Sequence, residues 1–283
     1  MTPEENMRQH ARSFAPAARL LGRNDRSHVA RLYALCRTVD DLADTVGGPY
    51  VRARLVELSK DLSRPQRDDP LAEEARDLFA GDETGLAAFR QLVATVANDT
   101  GPFEMADDAA LDRYCMGVAG TVGIMICVLF DVKTHWHAAA SDLGKAMQLT
   151  NICRDVRADA EAGRRYLPAT LCPHSPEAIA GGDPNAARAV QAAVATLLTR
   201  ADALYWSGRA GLPALPPRLR LAVAAASELY AGIGDELRAR DCDALSGRVV
   251  VPRHRKTRLF VTAVVSQLRL GVVQRPEVSH AAT

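Results

Sequence analysis

Aromatic side chains are scarce in this chain, at 5% against 48% hydrophobic residues overall. A core built without them must be built from alanine, leucine and valine. Long β-branched runs are absent too, so the composition favours helix over sheet. The chain has no excess of either charge: its formal net charge is +1, which excludes the broad basicity of a nucleic-acid binder. No two of the six cysteines (36, 115, 127, 153, 172 and 242) form a CxxC pair. Several fall within apolar helical pattern, so they are expected as reduced, buried thiols in a cytoplasmic protein. No stretch of ~18 apolar residues stands out, and no membrane-spanning helix is expected. The charged segment Met1 to His10 lacks the apolar centre of a signal peptide. Neither an internal repeat nor a long linker divides the 283 residues. A single domain over 1–272 is expected, with 273–283 as a disordered tail.

What is present centres on Gln148 to Asp159, QLTNICRDVRAD. Asn151, Asp155 and Asp159 recur every four residues, which stacks three oxygen-bearing side chains along one helical face. Gln148 precedes Asn151 by one turn. Leu149, Ile152 and Val156 occupy another side and can pack inward. Carboxylates at i and i+4 repel, so a positive partner is expected between Asp155 and Asp159. A solvated acidic face is the plain reading of such a triplet; a hard divalent cation is the chemical one. Mg²⁺ takes oxygen ligands and commonly uses one or two carboxylates together with substrate phosphates.

A second acidic rung favours the cation. Asp40 and Asp44 are again i and i+4, with Leu32, Leu35, Val39 and Leu42 at helical spacing on another side. Two such helices facing each other across a cavity are a usual way for a bundle to build a metal site.

Punctuation marks out helices ending near Gly22, then up to Thr45, about 50–62, from Pro70, about 86–98, 107–130, 137–160, 185–209, 217–240 and 256–272. The helix over 107–130 contains Gly117, Gly120 and Gly123, each costing about 1 kcal/mol relative to alanine. Close helix packing and room for a ligand, or a kink that opens a cavity, both account for them. His135 and His137, at i and i+2, do not share a helix face and are read as an interhelical loop.

In that order and spacing, the motifs resemble the squalene/phytoene synthase family of head-to-head prenyl diphosphate synthases. The motifs are Tyr33 to Asp44, Val118 to Gly123, Gln148 to Asp159 and Gly163 to Pro168. The resemblance runs from about His10 to Lys256 and implies an all-α isoprenoid-synthase bundle around a deep central cavity. It implies two allylic prenyl diphosphates as substrates and Mg²⁺, which Mn²⁺ can replace, held by Asp40, Asp44, Asn151, Asp155 and Asp159. Arg37, Arg154, Arg164 (or Arg165) and Tyr166 are implied to contact diphosphate or order a lid over it. Arg248 and Lys256 match late basic positions, and His10, Ser13 and Phe14 match an N-terminal motif. The aspartates with Tyr33 and Tyr166 are the implied catalytic set. Gly117, Val118, Gly120, Gln148 and Tyr230 join the substrate-binding residues. Apolar lining is expected from Tyr33, Phe14, Met116, Val118, Leu149 and Tyr230.

The C-terminal third resembles bacterial phytoene synthases most closely, which favours geranylgeranyl diphosphate as substrate. No dinucleotide fingerprint is present, since Gly117 to Gly123 lies within a helix, and NADPH is not expected. A presqualene- or squalene-type enzyme using farnesyl diphosphate, a class I terpene cyclase and a non-catalytic assembly subunit are the alternatives. The last would normally have lost a motif aspartate, and none is lost. An amphiphilic substrate and a hydrocarbon product imply exchange with a bilayer and hand-over to downstream isoprenoid enzymes. Arg248, Arg253, Arg255, Lys256 and Arg258 are the candidate cations for a reversible contact at the inner membrane face; a solvated basic loop is the alternative.

Overall fold

The computed structural model describes residues 20–45, 48–64 and 69–273, without the side chains of 44, 45, 48, 49 and 268–273. His10, Ser13, Phe14 and the expected tail beyond Val273 lie outside the described residues. The architecture is the all-α bundle expected. Helix α1 spans Arg23–Thr45, α2 Gly48–Asp61, α3 Pro70–Leu78 and α4 Glu83–Ala97. Helices α5 (Asp108–Cys115) and α6 (Thr121–Leu129) are joined by a π-helical turn, Met116–Gly120. A 3₁₀ turn, Thr134–Trp136, leads into α7 (His137–Glu161). Then come α8 (Pro176–Ala180), α9 (Pro184–Arg209), α10 (Pro217–Arg238) and α11 (Arg253–Val273).

Local chemistry starts these helices. Asp69, Asp82, Asp107 and Asp183 each accept hydrogen bonds from backbone N–H groups of the first turn, and Pro70 and Pro184 stand where no N–H is needed. The Asp82 cap starts α4 three residues earlier than the apolar pattern suggested. Helix α8 lies between the helices expected to end near 160 and to begin near 185; Ser175 caps it and Pro176 opens it.

The α5–α6 stretch, 108–129, corrects the expectation on apolar length: one 18-residue window has a mean hydropathy of 1.4. Glycine and alanine dilute its apolar character to the eye. It packs against α4 and α7 inside the bundle, as a wall of the core.

Helix α7 is the central element and packs most extensively on α9. Leu149, Ile152 and Val156 are buried there among Val190, Val194 and Leu197. A second core joins α1, α2 and α4 around Leu35, Leu55 and Phe89. A third joins α1, α10 and α11 around Ala30, Ala222 and Ala263. Where α6 crosses α7 the backbones nearly touch. A Cβ on Gly123 would fall on the Ala140 carbonyl, and one on Gly144 on the Ala119 carbonyl. The short parallel pair β1 (Phe103–Glu104) and β2 (Arg164–Arg165) aligns Phe103 with Arg164. It ties the loop after α7 to the loop after α4.

Candidate active site

Two connected spaces lie inside the bundle. The first is an apolar chamber of about 410 Å³, within the range of small-molecule sites. The second is a polar cleft of about 250 Å³, lined by Arg37, Asp40, Asp99, Tyr114, Gln148, Asn151, Asp155, Asp159, Arg164 and Tyr166. Asp40 and Val118 line both, so the two spaces meet there.

The acidic stripe of α7 and the rung of α1 are therefore brought together as expected. Asp44 lies on α1, but its side chain is not among those described. Asp155 accepts from Arg154 Nε at 2.9 Å and pairs with Arg248 Nε at 3.1 Å. The positive partners anticipated beside this carboxylate are thus arginines of the protein itself. Asp159 lies deeper. Burial first, then the charge of Asp155, push its pKa up to about 7, with Arg164 opposing. Asn151 Oδ1 is buried with no hydrogen-bond partner. Its side chain bonds the Tyr230 phenol, which burial pushes up. Among the described residues no three His, Cys, Asp or Glu side chains converge on one point.

Arg164 lines the cleft. Arg165 turns inward to the Cys172 carbonyl at 2.6 Å and to Glu104 at 2.8 Å, and is buried as a strut of the loop. Arg37 lines the cleft and pairs at 2.5 Å with Asp41, which lines neither space.

Asp99 is a site residue that sequence reasoning missed. It follows the end of α4, and its Oδ2 accepts from both the Tyr114 hydroxyl at 2.9 Å and the Tyr166 hydroxyl at 2.6 Å. The two rings stack at 5.1 Å, with Phe103 against Tyr166 at 5.5 Å. Burial and the Asp99 charge raise both phenols, so both keep their protons and present only oxygen lone pairs to the cleft. The available signal was a lone Asp after a helix ending in Ala97-Asn98, which has no spacing partner.

Tyr33, Val118 and Tyr230 line the chamber as expected. Leu149 is instead in the core, Met116 packs its sulfur over Gly120, and Met147 takes the wall position. Gly117 and Gly120 also need correction. A Cβ on Gly117 would meet Thr95 of α4, and one on Gly120 would meet Met116, so both serve packing. The side-chain-free wall comes from Gly123, Gly144, Gly208 and Gly211. Lys256 sits half-buried at the start of α11 and lines neither space. All six cysteines are free thiols; burial pushes Cys115 up to about 12 and Cys127 to about 11.

An apolar chamber adjoining a cleft of carboxylates and arginines suits a ligand with a long hydrocarbon tail and a polyanionic head. Comparison with known proteins gives the same direction. The family profile described as squalene/phytoene synthase matches residues 7–255. The phytoene synthase of Rhodobacter capsulatus is 31% identical over 306 aligned positions, covering 98% of this chain and 86% of the relative. The 15-cis-phytoene synthase of Pantoea ananas is 35% identical, over 81% of this chain and 79% of its own length. Among solved structures, a dehydrosqualene synthase in complex with ligand superposes with a TM-score of 0.78 at 25% identity, covering 95% of each chain. With its motifs converging on one cleft and its relatives matching nearly end to end, the chain belongs to the squalene/phytoene synthase family of prenyltransferases.

Proposed function

We propose that this enzyme condenses two geranylgeranyl diphosphates head to head, through a cyclopropylcarbinyl diphosphate, to phytoene. The observation that carries this reading is the junction at Asp40 and Val118, where a polyanion cleft and the apolar chamber share a wall. Each half-reaction expels diphosphate and releases a proton, so no reductant is consumed and NADPH is not required.

The donor set fits Mg²⁺. Asn151 offers a buried, unbonded carbonyl oxygen, and Asp159 is a carboxylate whose pKa is raised by burial and then by Asp155. Asp40, Asn151, Asp155 and Asp159, with Asp44, would hold the ion together with substrate oxygens. When bound, it supplies Lewis-acid stabilisation of the leaving diphosphate. The chain's own groups do the rest. Arg37, Arg154 and Arg164 oppose the charge that develops on that group. The chamber keeps water from the carbocation. The faces of Tyr33 and Tyr230 stabilise positive charge beside the junction.

The test is incubation with geranylgeranyl and farnesyl diphosphates separately, with Mg²⁺ or excess chelator, with and without NADPH. Phytoene from the C20 substrate, dependent on Mg²⁺ and indifferent to NADPH, is the expected result. Full activity in chelator would remove the metal. Preference for the C15 substrate would favour the presqualene- or squalene-type reading.

The protein is further proposed as cytoplasmic, touching the membrane's inner face through α11 and handing its hydrocarbon product on there. The basic cluster is smaller than its sequence suggests. Arg248 reaches Asp155, and Arg255 binds Asp235 and Glu236 at 2.8 and 2.7 Å. Arg253, His254 and Arg258 remain exposed, on one helix with Val261 and Val265, and α11 contains no acidic residue. At about 1 kcal/mol per cation, binding is expected to anionic vesicles at low salt and to be lost as salt rises. Co-sedimentation that ignores lipid charge, or does not occur, would count against this face.

A further inference from the structure

Four helices run along the axis that joins cleft to chamber. On α1 the chamber takes Val29, Leu32, Tyr33 and Cys36, and the cleft takes Arg37 and Ala43, with Asp40 at the junction. On α7 the chamber takes Ala140, Leu143, Gly144 and Met147, and the cleft takes Gln148, Asn151, Asp155 and Asp159. On α10 the order is Val223, Ala226 and then Tyr230, which bonds Asn151. The α5–α6 stretch runs the other way, from Tyr114 in the cleft through Val118 to Ile126 in the chamber. The helices therefore act as rulers. From Val29 to Asp40, and from Trp136 to Met147, are eleven residues each, so both measure a chamber about 16 Å deep. From Trp136 to Asn151, at the level of the polar donors, is about 22 Å.

Trp136 closes the far end. It precedes α7, lines the chamber and is half-buried. One side lies against Gly211, where an added Cβ would stand 3.7 Å from its ring. On the other side is the exposed His135, whose ring centroid is 5.1 Å away. The indole thus stands between the chamber and the exposed His135.

We infer that Trp136 is the floor that sets prenyl chain length, with Ala140 marking the position one isoprene unit above it. This deepens the proposed function and rests on a prenyl tail occupying the chamber. An extended chain advances about 1.3 Å per carbon–carbon bond of about 1.5 Å. Fifteen main-chain bonds of a C20 tail span about 19 Å, and eleven bonds of a C15 tail about 14 Å, on that same bond length. Measured from the donors, the C20 tail ends about 3 Å from the level of the indole, and the C15 tail about 8 Å short of it, about one and a half helical turns. One isoprene unit is four bonds, close to the 5.4 Å pitch of α7. A large side chain at Ala140 therefore shortens the space by about one unit, and a small one at Trp136 opens it.

The test uses prenyl thiolodiphosphates of C15, C20 and C25, which resist ionisation, with affinities measured by calorimetry on wild type, Ala140→Phe and Trp136→Ala. Ala140→Phe is expected to weaken C20 relative to C15 by at least about ten-fold. Trp136→Ala is expected to strengthen C25 relative to C20 by a similar factor. A folding defect lowers all affinities together and leaves the ratios unchanged, so the two opposite shifts are specific. Unchanged ratios in both folded variants would overturn the floor. Product formation from the true diphosphates is scored separately. Shifted ratios with no phytoene would leave the floor standing and remove the proposed reaction.

Discussion

Asp159→Asn is expected to make the metal-free protein more stable while lowering turnover by orders of magnitude. The two effects share one cause. Asp159 is half-buried near Asp155, and its carboxyl is raised to about 7 from an ordinary 3.8. Between those values the folded state holds a proton that the unfolded state has lost, so stability falls as pH rises from about 4 to about 7 and then levels. The amide has no charge to desolvate and removes that penalty, on the order of a few kcal/mol. The melting-temperature gap between variant and wild type should therefore be absent near pH 3, widen up to about pH 7 and then hold. Saturating Mg²⁺ should close it from the wild-type side only, because a cation binds the carboxylate of the native state. On the proposed role of Asp159, turnover falls because an amide cannot match a carboxylate as a ligand where diphosphate charge develops. A variant that is less stable than wild type at pH 8 without metal would show that Asp159 is a structural ion-pair partner instead.

The same residue shows how far the sequence could be read. Spacing of three and then four residues placed Gln148, Asn151, Asp155 and Asp159 on one face, and the cleft contains all four. Periodicity is enough for that, because helix geometry is local. It could not show that Asp155 is already held by Arg154 and Arg248, since the latter lies far along the chain. Asp99 was invisible for a related reason. Its partners Tyr114 and Tyr166 lie 15 and 67 residues away, beyond any helical spacing. Trp136 was passed over because the His135-Trp136-His137 run was weighed for its imidazoles alone. Helix ends were legible where Asp precedes Pro, as at Asp69 and Asp183, and drifted by three residues where an apolar pattern was followed past its cap.

The glycines give the largest structural prediction. Gly144→Ala is expected to lower the melting temperature by about 5–10 °C, since overpacking costs about 1–3 kcal/mol or more and each kcal/mol moves a large domain by about 2–4 °C. The added methyl would fall on the Ala119 carbonyl oxygen and carbon and near the Gly120 nitrogen, all backbone atoms of the facing helix. Nothing there can rotate away. The crossing can only widen, which also breaks the reciprocal approach of Gly123 to the Ala140 carbonyl. The walls that part are chamber walls: Ala119, Val122 and Gly123 on one side, and Ala140, Leu143 and Gly144 on the other. Turnover should fall with stability. Gly120→Ala is the control. Its methyl would meet the sulfur of Met116, the far end of a flexible side chain that can move, so a loss of at most about 1 kcal/mol is expected. Thermal unfolding of the two variants side by side decides the matter. If Gly120→Ala were the damaging change and Gly144→Ala melted like wild type, the close approach of α6 and α7 would not be what these glycines serve.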